Sequence, residues 1–283
     1  MITSLDHFVL ICPDIDAGVQ IYETLLGAPP VWRAENIEYG SASAVFKTSN
    51  TSLELMAPKG GGVVAERLSQ MLDATGPRIT SLAYEVADAG MARHSFERRG
   101  LSPSEVSDGA SRDLVSGAER NWKRFRCADE ACAGVKTFVL QHTGGALPAG
   151  DIRHGSVTSL DHLVINTPNP DRAAALYGAR LGLRFALDRT AEQWKTRFLF
   201  FRLGGLTLEV IHRLGEAHDP SGQDSIWGLT WAVPDLEAAR RRLDEAGLTV
   251  SEIRTGRKPG SRVFTVKDGT LGVPTLFISH EEA

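Results

Sequence analysis

The chain has 283 residues, 42% of them apolar and 23% charged, which is enough for two domains that each have a core. Its 31 basic residues nearly balance 35 acidic ones, and a net charge of −4 argues against a nucleic-acid partner. No apolar run is long enough for a membrane span, and the N-terminus lacks signal-peptide features, so we expect a cytoplasmic protein without a membrane partner. Three cysteines, an odd number, fit a reducing compartment better than a disulfide framework.

The first predicted unit, residues 3–58, consists of a strand, a helix and three further strands. TSLDH leads into an apolar strand that ends near Pro13, and an apolar stripe then predicts a helix. Gly27 stands where the C-cap of that helix is expected. The runs VFK and SLELMAP predict later strands of the same unit. We call this βαβββ unit module A1.

The second predicted unit, module B1, has the same order of elements. Residues 81–101 indicate a strand, a turn at Asp88 and a helix that ends at Gly100, and a basic strand and VKTFVLQH follow. Residues 143–155 then carry the Gly and Pro typical of a linker. We therefore predict two domains, residues 1–145 and 156–283.

The second half of the chain repeats the first. Residues 158–213 align with residues 3–58 without a gap, and TSLDH opens both segments. Residues 228–248 resemble residues 81–101, and VPTLFISH matches the last strand of B1. The chain therefore reads as four βαβββ modules in the order A1, B1, A2, B2, which predicts an α+β fold that arose by duplication.

Each A module carries a histidine on its first strand and a glutamate on its last. The spacing of His7 and Glu54 is the same as that of His162 and Glu209. Because side chains alternate along strands, both members of a pair can face the inside of a curved sheet. A neutral imidazole and an ionised carboxylate are suitable metal ligands, and a carboxylate inside an apolar strand needs a partner. We predict these four residues as metal ligands; the alternative is a structural pair that duplication copied.

The modules resemble the vicinal oxygen chelate superfamily, which includes glyoxalase I, bleomycin-resistance proteins, methylmalonyl-CoA epimerase and type I extradiol dioxygenases. The resemblance rests on the Asp-His strands, the Pro-Asp turn, the Tyr-bearing helix that ends in Leu-Gly, and the Leu-Glu-Leu strand. It covers essentially the whole chain and is greatest to bacterial glyoxalase-like domain proteins. It implies two tandem incomplete barrels, each with a metal in its mouth. It also implies that Glu54 or Glu209 can serve as the catalytic base as well as a ligand.

The B modules lack matching ligands. Ser81 and Gly228 stand where a histidine is expected, and Val139 and Phe277 stand where a glutamate is expected. If neighbouring modules pair, each cup has two evident metal ligands. The resemblance implies that an extradiol dioxygenase needs three, two histidines and a glutamate, so this activity is disfavoured.

Two arrangements would supply further ligands. His142 and His280 end the B modules, but alternation directs them to the opposite face unless a bulge intervenes, and His212 has the same problem. Alternatively, A1 could pair with A2 and unite all four ligands. We favour the pairing of neighbours because sequential elements usually lie side by side.

Four further residues are candidates for substrate binding. Tyr39 aligns with Trp194, and either can cover a bound ligand or serve only as a core aromatic. Lys123 and Arg262 lie on alternating basic strands and can reach a carboxylate, phosphate or enolate; a solvated basic edge strand is the alternative.

These observations predict a metal-dependent enzyme of the vicinal oxygen chelate type, with isomerase or lyase chemistry on a small oxygen-rich metabolite through an enolate-like intermediate. The metal can be zinc, nickel, manganese, cobalt or iron. A metal-free protein that binds or sequesters a small molecule is the alternative, and the missing ligands of the B modules favour it. A third possibility is that one cup is active and the other degenerate. The modular chain fits a monomer or a homodimer.

Overall fold

The computed structural model describes residues 1–216, 219 and 221–280. Its first half forms an eight-stranded mixed sheet in the order β2-β3-β4-β1-β5-β8-β7-β6. The elements in chain order are β1 (Ile2–Ile11), α1 (Ile15–Leu26), β2 (Trp32–Asn36), β3 (Ser41–Lys47), β4 (Ser52–Pro58), α2 (Val63–Thr75), β5 (Arg78–Val86), α3 (Ala89–Arg98), β6 (Ser107–Arg112), β7 (Glu119–Arg126) and β8 (Lys136–Gly144).

The second half forms an equivalent sheet in the order β10-β11-β12-β9-β13-β16-β15-β14. Its elements are β9 (Ser159–Asn166), α4 (Pro170–Ala173), which continues as a π-helix (Ala174–Arg180), β10 (Arg184–Ala191), β11 (Thr196–Leu203), β12 (Leu206–Arg213), β13 (Ser225–Ala232), α5 (Leu236–Glu245), β14 (Arg254–Thr255), β15 (Ser261–Val266) and β16 (Thr275–His280).

The sheets confirm the α+β prediction and its tandem organisation. In each half the first strand of the A module pairs antiparallel with the first strand of the B module, β1 with β5 and β9 with β13. Each of these strands also pairs in parallel with the last strand of its own module. The alternative in which A1 and A2 form one sheet is therefore wrong. The boundaries at residues 145 and 156 stay a prediction.

The predicted helix signals explain where the helices begin and end. The Asp14 carboxylate caps α1 by accepting from the Ala17 amide at 2.8 Å, and Asp88 and Asp235 cap α3 and α5 in the same way. Gly27 ends α1 with φ of 75°, a conformation that favours glycine because it has no Cβ. The module pattern did not include α2, which follows the last strand of A1.

One face of each sheet carries the core and the other forms a cup. In β1, Phe8 and Leu10 face the core while Val9 and Ile11 face inward. We call the inner face that bears His7 and Glu54 the first cup, and the face that bears His162 and Glu209 the second cup. The two halves share one core, in which the rings of Phe8 and Trp231 lie 6.1 Å apart. None of the helices in the described part of the chain has both the length and the apolar character needed to cross a membrane.

Candidate functional site

A β-bulge places an aspartate beside each repeated histidine. The pairing of β1 with β5 moves from Leu5 opposite Tyr84 to His7 opposite Ala83, so Asp6 is an extra residue. The second sheet has the same irregularity at Asp161. A bulge of this kind interrupts the strict alternation of side chains, which lets neighbouring residues lie on one face. The Nδ1 atom of His7 lies 2.6 Å from the Asp6 carboxylate, and the matching distance for His162 and Asp161 is 2.8 Å.

Each of these aspartates also binds a second histidine. His142 Nε2 lies 2.5 Å from Asp6 Oδ2, and His280 Nε2 lies 2.6 Å from Asp161 Oδ2. Both aspartates therefore bridge two imidazoles. An ionised carboxylate only accepts hydrogen bonds, so each of the four imidazoles donates one to its aspartate.

The prediction that His142 and His280 face away from the cups was therefore wrong. It aligned Val139 and Phe277 with the inward-facing glutamates, but both side chains lie in the core. Ordinary alternation then directs the histidines three residues later into the cups. His212 does lie on the face opposite Glu209, and its Nδ1 lies 3.0 Å from the carbonyl oxygen of Thr167.

The structure brings together both predicted His–Glu pairs. His7 Nε2 lies 3.4 Å from Glu54 Oε2, and His162 Nε2 lies 3.6 Å from Glu209 Oε2. In the second cup the Thr230 hydroxyl also lies 2.8 Å from His162 Nε2. The equivalent position of the first cup is Ala83, which has no polar side chain.

Each His–Glu pair fits two positions around a divalent metal ion. An ion about 2.1 Å from both donor atoms would hold them roughly 3.0–3.5 Å apart, close to the observed separations. The aspartate on the far nitrogen of each histidine is the partner that orients metal-binding imidazoles. No group of three His, Cys, Asp or Glu among the described residues is placed to hold an ion. Water or substrate oxygens would have to supply the other positions, and the Thr230 hydroxyl would have to turn away from His162.

The aspartate bridges change the titration of the first cup. Burial raises the pKa of Asp6, but hydrogen bonds from His142 and His7 outweigh burial and hold that pKa well below its usual range. Burial lowers the pKa of His7, but the hydrogen bond and charge of Asp6 and the charge of Glu54 raise the pKa overall. The hydrogen bond to Asp6 is also the main cause that raises the pKa of His142. A protonated His7 cannot bind a metal, so metal affinity there depends on pH.

Glu209 has the properties of a proton-transfer group. Burial raises the pKa of its carboxyl above the ordinary value, and electrostatic interactions with His162 and Arg257 offset only part of the increase. In the same cup, hydrogen bonds from His162 and His280 overcome burial and hold the pKa of Asp161 well below its usual range. The two carboxyls therefore differ, because the low pKa of Asp161 favours its ionised form, whereas Glu209 is suited to accept and release a proton.

A large cavity opens over Glu209 and His162. Its volume is about 1010 Å³, and the first and last strands of both modules contribute to its wall. Trp194, Phe198, Phe200 and Trp227 supply aromatic surface, and Thr230 and Asp161 lie on the floor near the histidine. The predicted residue Trp194 thus lies in the wall of the second cup, with the Arg257 guanidinium 4.3 Å from its ring centroid.

The first cup has a different cover. Helix α2 packs Leu68 against Val9 and Ile11, with Met56 also in contact. The Arg120 guanidinium lies 4.6 Å from the Trp32 ring centroid, and the negative charges of Glu54 and Asp6 act on it. A cationic side chain and a helix therefore occupy the part of the first cup that corresponds to the open cavity of the second.

Three of the predicted substrate-binding residues lie elsewhere. Tyr39 is in the turn between β2 and β3, 46% exposed, with its backbone carbonyl bound to the start of α2. Lys123 forms an ion pair with Asp108 on the neighbouring strand at 2.9 Å. Arg262 forms one with Glu237 of α5 at 2.5 Å. These positions give no support to a substrate-binding role, which stays a prediction for all three.

Sequence reasoning missed Asp6, Asp161 and Thr230. The aspartates had a visible signal because both copies of TSLDH contain one, but only the bulge shows that they face the histidine. The sequence repeat gave no signal for Thr230, since the equivalent residue of the first half is Ala83, which has no polar side chain.

Comparisons with known proteins agree with this architecture. The sequence model of the glyoxalase-like domain family matches residues 5–159, and that of the glyoxalase/bleomycin resistance protein/dioxygenase superfamily matches residues 161–265. An ethylmalonyl-CoA/methylmalonyl-CoA epimerase of Cereibacter sphaeroides is 30% identical over 125 residues, which is 42% of this chain and 86% of the relative.

Two solved structures resemble the whole chain in fold. One is a triple mutant of 4-hydroxymandelate synthase from Streptomyces coelicolor, with a TM-score of 0.69, 15% identity and coverage of 100% of this chain and 94% of the other. The other is a hypothetical protein from Staphylococcus aureus, with a TM-score of 0.66, 8% identity and coverage of 98% and 100%.

Proposed function

The chain belongs to the glyoxalase/bleomycin resistance protein/dioxygenase superfamily, and we propose that its second cup is the active site of a metal-dependent isomerase or lyase. The observation that carries the proposal is the geometry of Glu209, a buried carboxyl 3.6 Å from His162 in the wall of a large open cavity; in the metal-free cup, burial also raises its pKa. A general base needs a pKa closer to the working pH than that of an ordinary glutamate, and burial has this effect.

The proposed step is removal of a proton from a carbon next to a carbonyl group. The Glu209 carboxylate takes the proton, the electron pair passes to the carbonyl oxygen as an enolate, and the proton returns to the carbon. Asp161 accepts from His162 Nδ1 and thereby directs His162 Nε2 toward Glu209. A divalent ion bound by His162 and Glu209 would act as a Lewis acid on the developing oxyanion.

The epimerase relative suggests a test substrate, methylmalonyl-CoA, whose central carbon lies between two carbonyl groups. We expect wild-type protein in deuterated water to exchange the hydrogen on that carbon, measured by mass spectrometry. Glu209→Gln should slow exchange by roughly 10²–10⁴-fold, the usual contribution of a general base. Glu54→Gln is the matched control in the first cup and should leave exchange near the wild-type rate. Loss of exchange in Glu54→Gln with retention in Glu209→Gln would contradict the assignment of the second cup.

Metal dependence is tested separately. Tag-free protein should contain a divalent metal by elemental analysis, and His162→Ala should lose the metal of the second cup. Chelation should abolish exchange, and adding the metal back should restore it. His7→Ala, compared in the same assay, shows whether the first cup also holds an ion.

A metal-free binding protein is the second candidate. The specific observation in its favour is that each cup offers two donors, with no group of three among the described residues. A metal content far below stoichiometric, with ligand binding unchanged in His162→Ala, would establish this candidate in place of the enzyme.

A further inference from the structure

The cavity of the second cup is strongly cationic. Six basic side chains lie in its wall, against the two carboxyl groups Asp161 and Glu209; they are Arg189, Arg202, Arg213, Arg254, Arg257 and Lys258. With neutral histidines this leaves an excess of four positive charges, in a chain whose net charge is −4. Such a local excess attracts anions to the cavity.

Most of these six cations form no direct ion pair with a carboxylate among the described residues. Arg189, Arg254, Arg257 and Lys258 form no ion pair within the part of the chain that the structure describes. Elsewhere arginines on the sheets are commonly paired, as Arg197 is with Asp188 at 2.8 Å. Unpaired arginines gathered around one cavity are suited to bind carboxylate or phosphate groups.

The two edge strands of the first sheet, β2 and β6, are joined by hydrogen bonds. Strands β2 and β6 are joined because the Trp32 indole donates to Ser111 at 2.9 Å and the Arg33 amide donates to Asp113 at 2.9 Å. The Leu114 amide completes the seam by donating to the Arg33 carbonyl at 2.8 Å. These bonds close the first sheet edge to edge.

The corresponding edges of the second sheet carry like charges. Arg189 lies on β10, while Arg254 is on β14 and Arg257 is in the turn that follows it. Both edges approach the Trp194 ring, which lies 5.8 Å from the Arg189 guanidinium and 4.3 Å from that of Arg257. Like charges on facing edges repel, so a bound anion would remove the repulsion and join the edges.

We propose that the second cup binds a ligand with at least two negative charges next to a flat unsaturated group, and that the ligand's charges bridge Arg189 on one edge to Arg254 and Arg257 on the other. The flat group would lie on Trp194 and Trp227, whose exposed fractions are 38% and 45%. The inference rests on the proposed function only in taking the second cup as the ligand site. Either carboxylate or phosphate groups of the ligand can supply the two negative charges.

Calorimetric titration of the full chain tests the charge requirement. Terephthalate and benzoate share a ring and differ by one carboxylate; adenosine bisphosphate and adenosine differ by two phosphates. We expect at least one of the more highly charged probes, terephthalate or the bisphosphate, to bind about tenfold more tightly than its partner, and its affinity to fall as salt rises. A preference for terephthalate or for the bisphosphate identifies the source of the charge. Equal affinity within both pairs of probes would overturn the proposal.

Substitutions on both edges test the bridge. Arg189→Gln should weaken dianion binding by about tenfold, the loss of one charge-assisted interaction, and the double variant Arg254→Gln/Arg257→Gln by up to about a hundredfold, the loss of two. Arg241→Gln makes the same charge change on the exposed face of α5 and should have no effect. Wild-type affinity in Arg189→Gln would show that the ligand contacts one edge only. Dianion binding without hydrogen exchange on methylmalonyl-CoA would leave this inference standing and remove the proposed function.

Discussion

Burial of the Glu209 carboxyl lowers the stability of the fold but favours proton transfer. Its side chain is 16% exposed, and burial raises the pKa of the carboxyl. An ionised carboxylate in this position costs folding free energy, since water stabilises the charge better than the cavity wall does. The same elevated pKa brings the carboxyl closer to the range in which it can act as a base.

In metal-free protein, prepared with a chelator, Glu209→Gln should therefore raise the free energy of unfolding, by about 1 kcal/mol at neutral pH. Because the folded-state pKa is raised, the penalty is fully present above that pKa. It vanishes below the pKa of the unfolded chain, where the carboxyl is protonated in both states. The stabilisation should thus disappear as the pH falls, which urea unfolding of both proteins over a range of pH would measure. Glu245→Gln, an exposed change on α5, is the control, and a destabilised Glu209→Gln at neutral pH would contradict the expectation.

The His–Glu pairs could be predicted because they depend on strand alternation alone. His7 and Glu54 lie on adjacent strands, and a period of two directs both inward. The aspartates required a bulge, which depends on how β1 and β5 register against each other and not on the local sequence. The error at His142 came from aligning the core residue Val139 with an inward-facing glutamate, since shifting a strand by one residue moves every side chain to the other face.

At the scale of elements, α2 distinguishes the two cups. It is inserted after β4, and its apolar residues Val64, Leu68, Met71 and Leu72 pack on the inner face of the first sheet. The Lys136 ammonium, also on that face, lies 3.0 Å from the Met71 sulfur. No helix occurs among the described residues between β12 and β13. The extra helix is thus what separates a covered cup from an open one.

Leu68→Ala should loosen α2 without affecting the second cup. Leu68 is 5% exposed in a small apolar cluster, so its truncation should cost about 2 kcal/mol, at the lower end for a buried leucine. Hydrogen exchange should accelerate in α2 while β9 and β12 keep their protection. Leu68→Met preserves the volume and is the matched control. Equal acceleration in α2 and β12 would mean that the helix does not unfold independently.

The module pattern predicted elements better than their lengths. Helix α1 begins after Asp14 and ends at Gly27, as expected, because local hydrogen bonds determine both ends. The equivalent helix of A2 has four α-helical residues and then widens into a π-helix before Gly182. The spacing of apolar residues does not distinguish an α-helix from this wider form.

At the scale of the whole molecule, two arginines of the second half bind helix ends of the first. Arg242 on α5 donates to the carbonyl oxygens of Thr24 and Leu25 at the end of α1, the second at 2.9 Å. Arg180 donates to the carbonyls of Arg99, at 2.9 Å, and Gly100 after α3. Carbonyls at helix C-termini lack partners within the helix, and a cation complements the helix dipole there. Together with the shared core, these bonds couple the two halves.

Wild-type protein should consequently unfold in one cooperative transition. Arg180→Ala/Arg242→Ala should lose about 3–6 kcal/mol, if each charged donor contributes roughly 1.5–3 kcal/mol. Since these bonds cross between the halves, the loss should separate unfolding into two transitions by scanning calorimetry. Arg180→Lys/Arg242→Lys keeps the charge but cannot reach several carbonyls with one planar group, so it should show an intermediate loss. A single transition that merely shifts to lower temperature in the alanine variant would show that the shared core around Phe8 and Trp231 is sufficient to couple the halves.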